Sequence, residues 1–263
     1  MTALTDAERL TAFFNQLRSA STRVLMLDYD GTLAPFQIDR DRAFPYPEVP
    51  RLLGRIITSR TRVVLISGRP VREVVLLSGV HPHPEIWGSH GLERLQTDGS
   101  YHIGPLLPQQ QTGLLQAAEY LRSQGLQGRM ELKPGGVALH WRGMPQAQAA
   151  KLKDEVQQAW SQSVGRYSLQ MLDFDGGVEI KVRGKDKGNA VTAILKDCNP
   201  HAVIAYLGDD RTDEDAFRAL KGRGLTVLVR DQFRPTLADI QLRPPQDLIQ
   251  FLQDWLAASG EEP

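Results

Sequence analysis

Asp28-Tyr29-Asp30-Gly31-Thr32 places two carboxylates two residues apart, immediately after the apolar run Val24-Leu25-Met26-Leu27. A run that is continuous rather than alternating reads as a strand buried on both faces. The end of such a strand can aim Asp28 into a site while the following turn brings Asp30 around. Asp28 could then attack phosphorus, and Asp30 could give a proton to the leaving oxygen and later take one from water. Gly31 permits close backbone approach to an anion, and the N–H groups of the turn favour negative charge. An Asp-rich turn is also an ordinary cap, so this motif alone leaves both readings open.

Three further segments bear on the choice. Gly208-Asp209-Asp210-Arg211-Thr212-Asp213-Glu214-Asp215 follows the apolar run 202–207 and opens a helix. Carboxylates gathered without partners repel one another; a hard divalent cation resolves this, and oxygen ligands with waters are what Mg²⁺ prefers. The helix macrodipole suffices to explain Glu214 and Asp215, but not Asp209, which precedes the helix. Ser67-Gly68-Arg69 ends the apolar run 62–66, where a hydroxyl and backbone amides could hold a phosphoryl oxygen. Lys185-Asp186-Lys187-Gly188 precedes a helix expected over 189–196, and a lysine there could neutralise both a phosphoryl group and the carboxylates.

The elements that must position these residues are legible in the apolar spacing. Thr5 and Glu8 have capping-box spacing, and Leu10, Phe13, Phe14 and Leu17 follow at helical intervals. Val49, Leu52, Leu53, Ile56 and Ile57 predict a helix over 48–59. Buried strands over 24–27, 62–66, 202–207 and 225–229 alternate with helices, which implies a parallel α/β sheet of Rossmann-like type. Such sheets bind ligands beyond the carboxyl ends of their strands, where the polar residues above fall. The stretch 105–183 is built differently. A helix over 109–123 precedes strands over 129–133 and 137–142 joined by Pro134-Gly135-Gly136. A helix over 146–164 then precedes strands over 167–172 and 178–182 joined by Asp175-Gly176-Gly177. Helix-strand-strand occurs twice, which predicts an α+β module over 105–183 inserted into a core made of 1–104 and 184–263. The crevice between module and core is the default place for a ligand.

Composition narrows the function classes. Among 263 residues, 31 Lys+Arg balance 31 Asp+Glu, so nothing suggests bulk attraction to nucleic acid or anionic lipid. Apolar runs such as 63–66 are far too short to span a bilayer. Asp6 and Glu8 stand where a signal peptide would carry positive charge, so a cytoplasmic protein is expected. The single cysteine, Cys198, excludes an internal disulfide and a thiolate zinc cage, and reads as a small hydrophobe near a helix end. The tail from Ser259 is expected to fray.

The four polar segments, in this order and each at a strand end or helix start, resemble the haloacid dehalogenase superfamily, whose phosphatases work through an aspartyl-phosphate. The resemblance implies a core of that fold with an α/β cap. Asp28 would be the nucleophile and Asp30 the general acid/base, with Ser67 and Lys187 completing the catalytic set as phosphate binders and Gly68 and Arg69 binding substrate in the same loop. Asp209 would be a Mg²⁺ ligand, together with the carboxylate of Asp28 and the backbone carbonyl of Asp30. Asp213 and Asp210 would support the metal site, and the sequence leaves open whether either touches the ion. A P-type pump is excluded, since it lacks the second aspartate and needs membrane helices.

The segments 28–35, 42–48, 66–69, Gly88-Ser89-His90-Gly91-Leu92-Glu93, His140-Trp141-Arg142, Val178-Glu179-Ile180-Lys181 and 208–217 are together similar to the trehalose-6-phosphate phosphatase family. In that family the inserted module reads the sugar, and the matching positions here are Glu131, Lys133 and Glu179. His90 is either a hydrogen-bonded hinge residue or a ligand contact, and Glu93 is either structural or at the site entrance. Val182-Arg183 and Ser89 depart from the family, which often has proline and asparagine there; the departures bear on substrate identity more than on reaction type. The resemblance implies Mg²⁺-dependent hydrolysis of the small-molecule sugar phosphate trehalose 6-phosphate. The alternatives are a phosphatase for glucosylglycerol phosphate or mannosyl-3-phosphoglycerate, a phosphomutase, and a non-catalytic sugar-phosphate-binding regulator. The oligomeric state is left open, and a monomer is compatible with it.

Overall fold

Thr5 caps the first helix, α1 (Asp6–Ser19), by a reciprocal capping box with Glu8, and Phe13, Phe14 and Leu17 are its buried stripe. The computed structural model describes residues 5–174 and 176–260. After α1 come β1 (Arg23–Leu27), α2 (Val49–Thr58), β2 (Thr61–Ile66) and α3 (Val71–Ser78). Three short strands follow: β3 (Glu85–Gly88), β4 (Glu93–Leu95) and β5 (Tyr101–Ile103). The next stretch comprises α4 (Pro108–Ser123), β6 (Met130–Lys133), β7 (Gly136–His140), α5 (Gln146–Arg166), β8 (Leu169–Phe174) and β9 (Gly177–Val182). The chain ends with α6 (Lys187–Lys196), β10 (Val203–Gly208), α7 (Glu214–Leu220), β11 (Leu225–Val229), β12 (Ile240–Leu242) and α8 (Gln246–Ala258).

These elements form two compact units, Met1–His102 with Asp186–Pro263, and Ile103–Lys185. The first holds an eight-stranded sheet in the order β12-β11-β10-β1-β2-β3-β4-β5. Its strands from β12 to β3 pair in parallel, and β4 runs antiparallel to β3. The apolar strands are continuous because both faces are covered. Leu25, Leu27, Leu65 and Leu207 pack with Leu17, Leu52, Ile56 and Trp255 from α1, α2 and α8. Val24, Met26, Ile66 and Ile204 face the other way, into Val191, Ile194, Phe217 and Leu220 from α6 and α7. The sheet is broader than the four strands the apolar runs announce, since β3, β4, β5 and β12 are too short to show a pattern.

The second unit holds a four-stranded sheet, β6-β7-β9-β8, all antiparallel. Val137, Leu139, Val178 and Ile180 on one face pack against Leu114, Leu121, Val156 and Trp160 of α4 and α5. Asp175, expected in the turn between β8 and β9, lies outside the described residues, as do residues 261–263 of the tail. Among the described residues no helix is long and apolar enough to cross a membrane.

Candidate active site

In the parallel sheet Leu27 is level with Leu207 on one neighbour and Leu65 on the other. Asp28, Asp209 and Ser67 therefore leave adjacent strands at the same end. The N–H of Asp28 donates to the Leu207 carbonyl at 2.9 Å, which continues the ladder one residue past the strand. Lys187 opens α6, a helix capped by Asp186, whose carboxylate accepts from the N–H of Asn189 at 2.7 Å. That start aims the Lys187 ammonium inward: Nζ lies 2.6 Å from Asp28 Oδ1 and 2.8 Å from Asp213 Oδ1. All three side chains are buried. The Thr32 hydroxyl stands 3.4 Å from Asp28 Oδ2.

Asp213 and Asp209 differ in how their oxygens are used. Asp213 Oδ1 accepts from Lys187 Nζ and, at 2.5 Å, from the Tyr206 hydroxyl. Its Oδ2 accepts from the N–H groups of Asp209 and Asp210 at 3.1 and 3.0 Å. Four donors saturate this carboxylate and pin the loop after β10. Asp209 Oδ1, by contrast, is buried and has no hydrogen-bond partner among the described residues. The carboxylate of Asp209 rests on Gly31, whose φ of +83° and missing side chain are both required: a Cβ there would lie 2.2 Å from Asp209 Oδ2. Oxygens of Asp28, Asp209 and Asp213 all lie within 4.8 Å of one another. Glu214 does more than favour a helix dipole, because it pairs with Arg234 and accepts from Thr236 and the N–H of Leu237. Arg234 in turn donates to the carbonyls of Asp209 and Asp210.

One buried ammonium, with the half-exposed Arg230 guanidinium 4.0 Å from Asp209 Oδ2, thus faces three buried carboxylates. Burial pushes the Asp28 carboxyl up to about 7; Lys187 opposes the shift and Asp213 adds to it. Burial, with the charges of Asp28 and Asp213, lifts Asp209 well above the usual carboxylate range. For Lys187, burial works against the charge, but Asp213 and Asp28 outweigh it and hold the ammonium above its ordinary value. The cluster is therefore short of positive charge. A hard divalent cation fits this donor set, because Asp209 Oδ1 is an orphan and oxygen ligands are what such ions take.

Asp30 is held differently. Both of its oxygens accept from Arg69, Oδ2 from Nε and Oδ1 from Nη2, each at 2.7 Å. Ser67 is buried beside them, and its Oγ accepts from the N–H of Arg69 at 3.1 Å. Behind this loop Ser89 and His90 both adopt positive φ, 48° and 57°. The unusual turn lets the N–H of Ser89 donate to the Arg69 carbonyl at 2.8 Å and that of His90 to the Ser67 carbonyl at 3.0 Å. Gly68 packs against the His90 ring, where a Cβ would stand 2.8 Å from Cε1. Glu93 accepts from the Ser89 hydroxyl at 2.5 Å and from Tyr101 at 2.7 Å. His90 and Glu93 therefore brace the Ser67–Arg69 loop.

Within the second unit, Glu131 and Lys133 of β6 and Glu179 of β9 share the sheet face opposite the helices. Lys133 Nζ lies 3.0 Å from Glu179 Oε2 and 3.8 Å from Glu131 Oε1. His140 Nε2 lies 2.8 Å from Glu131 Oε2, an additional member that the sequence shows only as part of the His140-Trp141-Arg142 segment. Gly136 makes room for Glu179, since a Cβ there would lie 2.4 Å from its Oε1. Tyr206 was also hidden: inside β10 it reads as one more apolar residue, and only its hydroxyl distinguishes it.

Comparison with known proteins bears on the whole arrangement. The family model described as trehalose-phosphatase matches residues 26–244. The chain is 31% identical to the trehalose-phosphate phosphatase of Mycobacterium tuberculosis over 95% of its own length, and it spans 65% of that relative's length. Its fold is similar to the C-terminal domain of Candida albicans trehalose-6-phosphate phosphatase, with a TM-score of 0.81 at 20% identity, covering 99% of this chain and 100% of that one. The C-terminal domain of the Candida albicans trehalose synthase regulatory protein is similar too, with a TM-score of 0.70 at 16% identity, covering 92% of this chain and 97% of that one. The likeness of fold is shared by a phosphatase and a regulatory protein alike, so the match in sequence carries the assignment: the chain belongs to the trehalose-phosphatase family.

Proposed function

We propose that this chain hydrolyses trehalose 6-phosphate to trehalose and phosphate, with Mg²⁺ and through an aspartyl-phosphate on Asp28. The observation that carries the reading is the buried Asp28 carboxylate, 2.6 Å from the Lys187 ammonium and clustered with Asp209 and Asp213, in a chain of the trehalose-phosphatase family. Asp28 forms a bond to phosphorus as the bond from phosphorus to the sugar oxygen breaks. Asp30 gives that oxygen its proton. Water then attacks the aspartyl-phosphate, passing a proton to Asp30, and the bond from phosphorus to Asp28 breaks. Lys187 and the Ser67 hydroxyl, with the N–H of Gly68, hold the phosphoryl oxygens. Asp28, Asp209 and the carbonyl of Asp30 would hold Mg²⁺, with Asp213 fixing the loop behind them. When bound, the ion would supply the positive charge the carboxylates lack and offset the negative charge of the phosphoryl oxygens.

The 105–183 module is proposed to read the sugar through Glu131, Lys133 and Glu179, whose acceptors and donor suit hydroxyl groups. The test is phosphate release from a panel comprising trehalose 6-phosphate, glucosylglycerol phosphate, mannosyl-3-phosphoglycerate and glucose 6-phosphate, with Mg²⁺ and then with EDTA. Release from trehalose 6-phosphate above the others, abolished by EDTA and restored by Mg²⁺, is expected. Preference for a glycosyl-glycerol phosphate would retain the chemistry and reject the substrate; binding without release would favour a regulator.

A further inference from the structure

We infer that Arg69 is a positioning residue for Asp30, holding the proposed acid/base by a two-pronged ion pair instead of binding the phosphoryl group. This rests on the phosphatase reading above. Arg69 donates from Nε and Nη2 to the two oxygens of Asp30, each at 2.7 Å, the geometry in which a planar guanidinium matches a carboxylate. Its side chain is 6% exposed against 26% for Asp30, so the cation is the anchored partner and the carboxylate the accessible one. The anchoring is extensive. Arg69 Nη1 lies 3.5 Å from Glu73 Oε2, one turn along α3, and Glu73 is itself paired with Arg40. The guanidinium carbon stands 5.8 Å from the centre of the Tyr29 ring, whose hydroxyl is tied to the Ala43 carbonyl at 2.9 Å. The Arg69 backbone is clamped on both sides, its N–H on Ser67 Oγ and its carbonyl under the Ser89 N–H. An arginine spending two donors on Asp30 and directing a third at Glu73 is fixed for orienting that carboxylate. A carboxyl carrying a proton on one oxygen still accepts from arginine on the other, so the tether lasts through the proton's transfer.

The experiment uses leaving groups of different need, with the full chain and Mg²⁺. Nitrophenolate departs from p-nitrophenyl phosphate without being protonated, whereas the trehalose oxygen requires the proton from Asp30. Water attack in the second step needs Asp30 with either substrate. For Arg69→Ala, turnover on trehalose 6-phosphate should fall about 10²-fold, within the range of general acid–base catalysis, with KM little changed. On p-nitrophenyl phosphate the first turnover should survive, seen as a rapid burst of nitrophenolate stoichiometric with enzyme, followed by slow release of phosphate. Arg69→Lys, which keeps the charge but loses the fork, should recover part of the turnover. It carries the same test should Arg69→Ala not fold. A raised KM for both substrates with no burst would show that Arg69 grips the phosphoryl group and would overturn the inference. An equal loss on both with a lowered thermal midpoint would overturn it as merely structural. Asp30→Asn is the control: the same burst there upholds the mechanism, so that failure of the Arg69 variants alone condemns only this inference, while an Asp30→Asn enzyme that keeps full turnover condemns the reading beneath it.

Discussion

The chain gathers buried charge in two places, and the two clusters are balanced in opposite ways. At the end of the parallel sheet, the Lys187 ammonium meets Asp28 and Asp213, the Arg230 guanidinium comes only to 4.0 Å from Asp209 Oδ2, and Asp209 Oδ1 has no hydrogen-bond donor among the described residues. On the antiparallel sheet, Glu179 meets Lys133 at 3.0 Å and Glu131 meets His140 at 2.8 Å. Both clusters concern carboxylates out of water, a costly state unless hydrogen-bonded and neutralised. The first is left incomplete and its carboxylates are pushed up; the second supplies each carboxylate with a donor from the chain. Incomplete neutralisation makes the first cluster receptive to a cation, whereas the completed pairs fix the geometry of the second.

The largest effect separating the two regions should come from the proposed nucleophile. Asp28→Asn should lower phosphate release by roughly 10⁴-fold or more, on the scale seen when nucleophiles of covalent enzymes are removed. The fold should survive, because the amide still meets Thr32. Mass spectrometry excluding deamidation, beside a phosphate-release assay, checks this, and retained turnover in an undeamidated sample would reject the aspartyl-phosphate.

Next in size is a stability effect in the antiparallel sheet. Glu179→Gln leaves Lys133 without its nearest anion, and breaking a buried pair costs about 3–5 kcal/mol. Urea unfolding of the full chain should register that loss, and an unchanged midpoint would mean that the pair is solvated.

A smaller loss is expected for Glu131→Ala and Lys133→Ala, read as specificity. Each should reduce kcat/KM for trehalose 6-phosphate by roughly tenfold to a hundredfold, the equivalent of about 1.5–3 kcal/mol for a hydrogen bond to a charged group. Hydrolysis of p-nitrophenyl phosphate should be nearly unaffected. Equal losses on both substrates would assign these residues to the fold.

The smallest effect has the opposite sign. Asp209→Asn removes one of the crowded charges, so in EDTA at pH 8 it should raise stability by about 1 kcal/mol, or roughly 2–4 °C in thermal midpoint. Added Mg²⁺ should raise the thermal midpoint of the unmodified protein and leave that of the variant unchanged. The pH dependence of the unmodified chain has a related sign. Asp28 moves from 3.8 up to about 7 on folding, so its contribution is present at low pH and is lost as pH rises through 7. Metal-free protein should weaken over that interval by calorimetry, and Mg²⁺ should flatten the slope.

Much of this was legible along the chain. The capping box of Thr5 and Glu8, the doubly buried strands, the helix-strand-strand repeat and the placing of Asp28, Ser67, Asp209 and Lys187 at element ends all follow from neighbours in sequence, where periodicity and capping act. Short strands such as β3 and β12 did not show, because three or four residues carry no period.

What the residues do to one another was settled elsewhere. Arg69 reads as part of a phosphate loop, yet its fork closes on Asp30; Asp213 reads as one acid among several, yet four donors saturate it while Asp209 keeps an orphan oxygen. Gly31 reads as a turn glycine, yet its empty side serves the Asp209 carboxylate. The reason is that composition and spacing specify which charges exist and which ends of elements bear them. The pairing of each charge depends on the strand order β10-β1-β2, which brings distant segments within hydrogen-bond distance and leaves too few cations for the carboxylates it gathers.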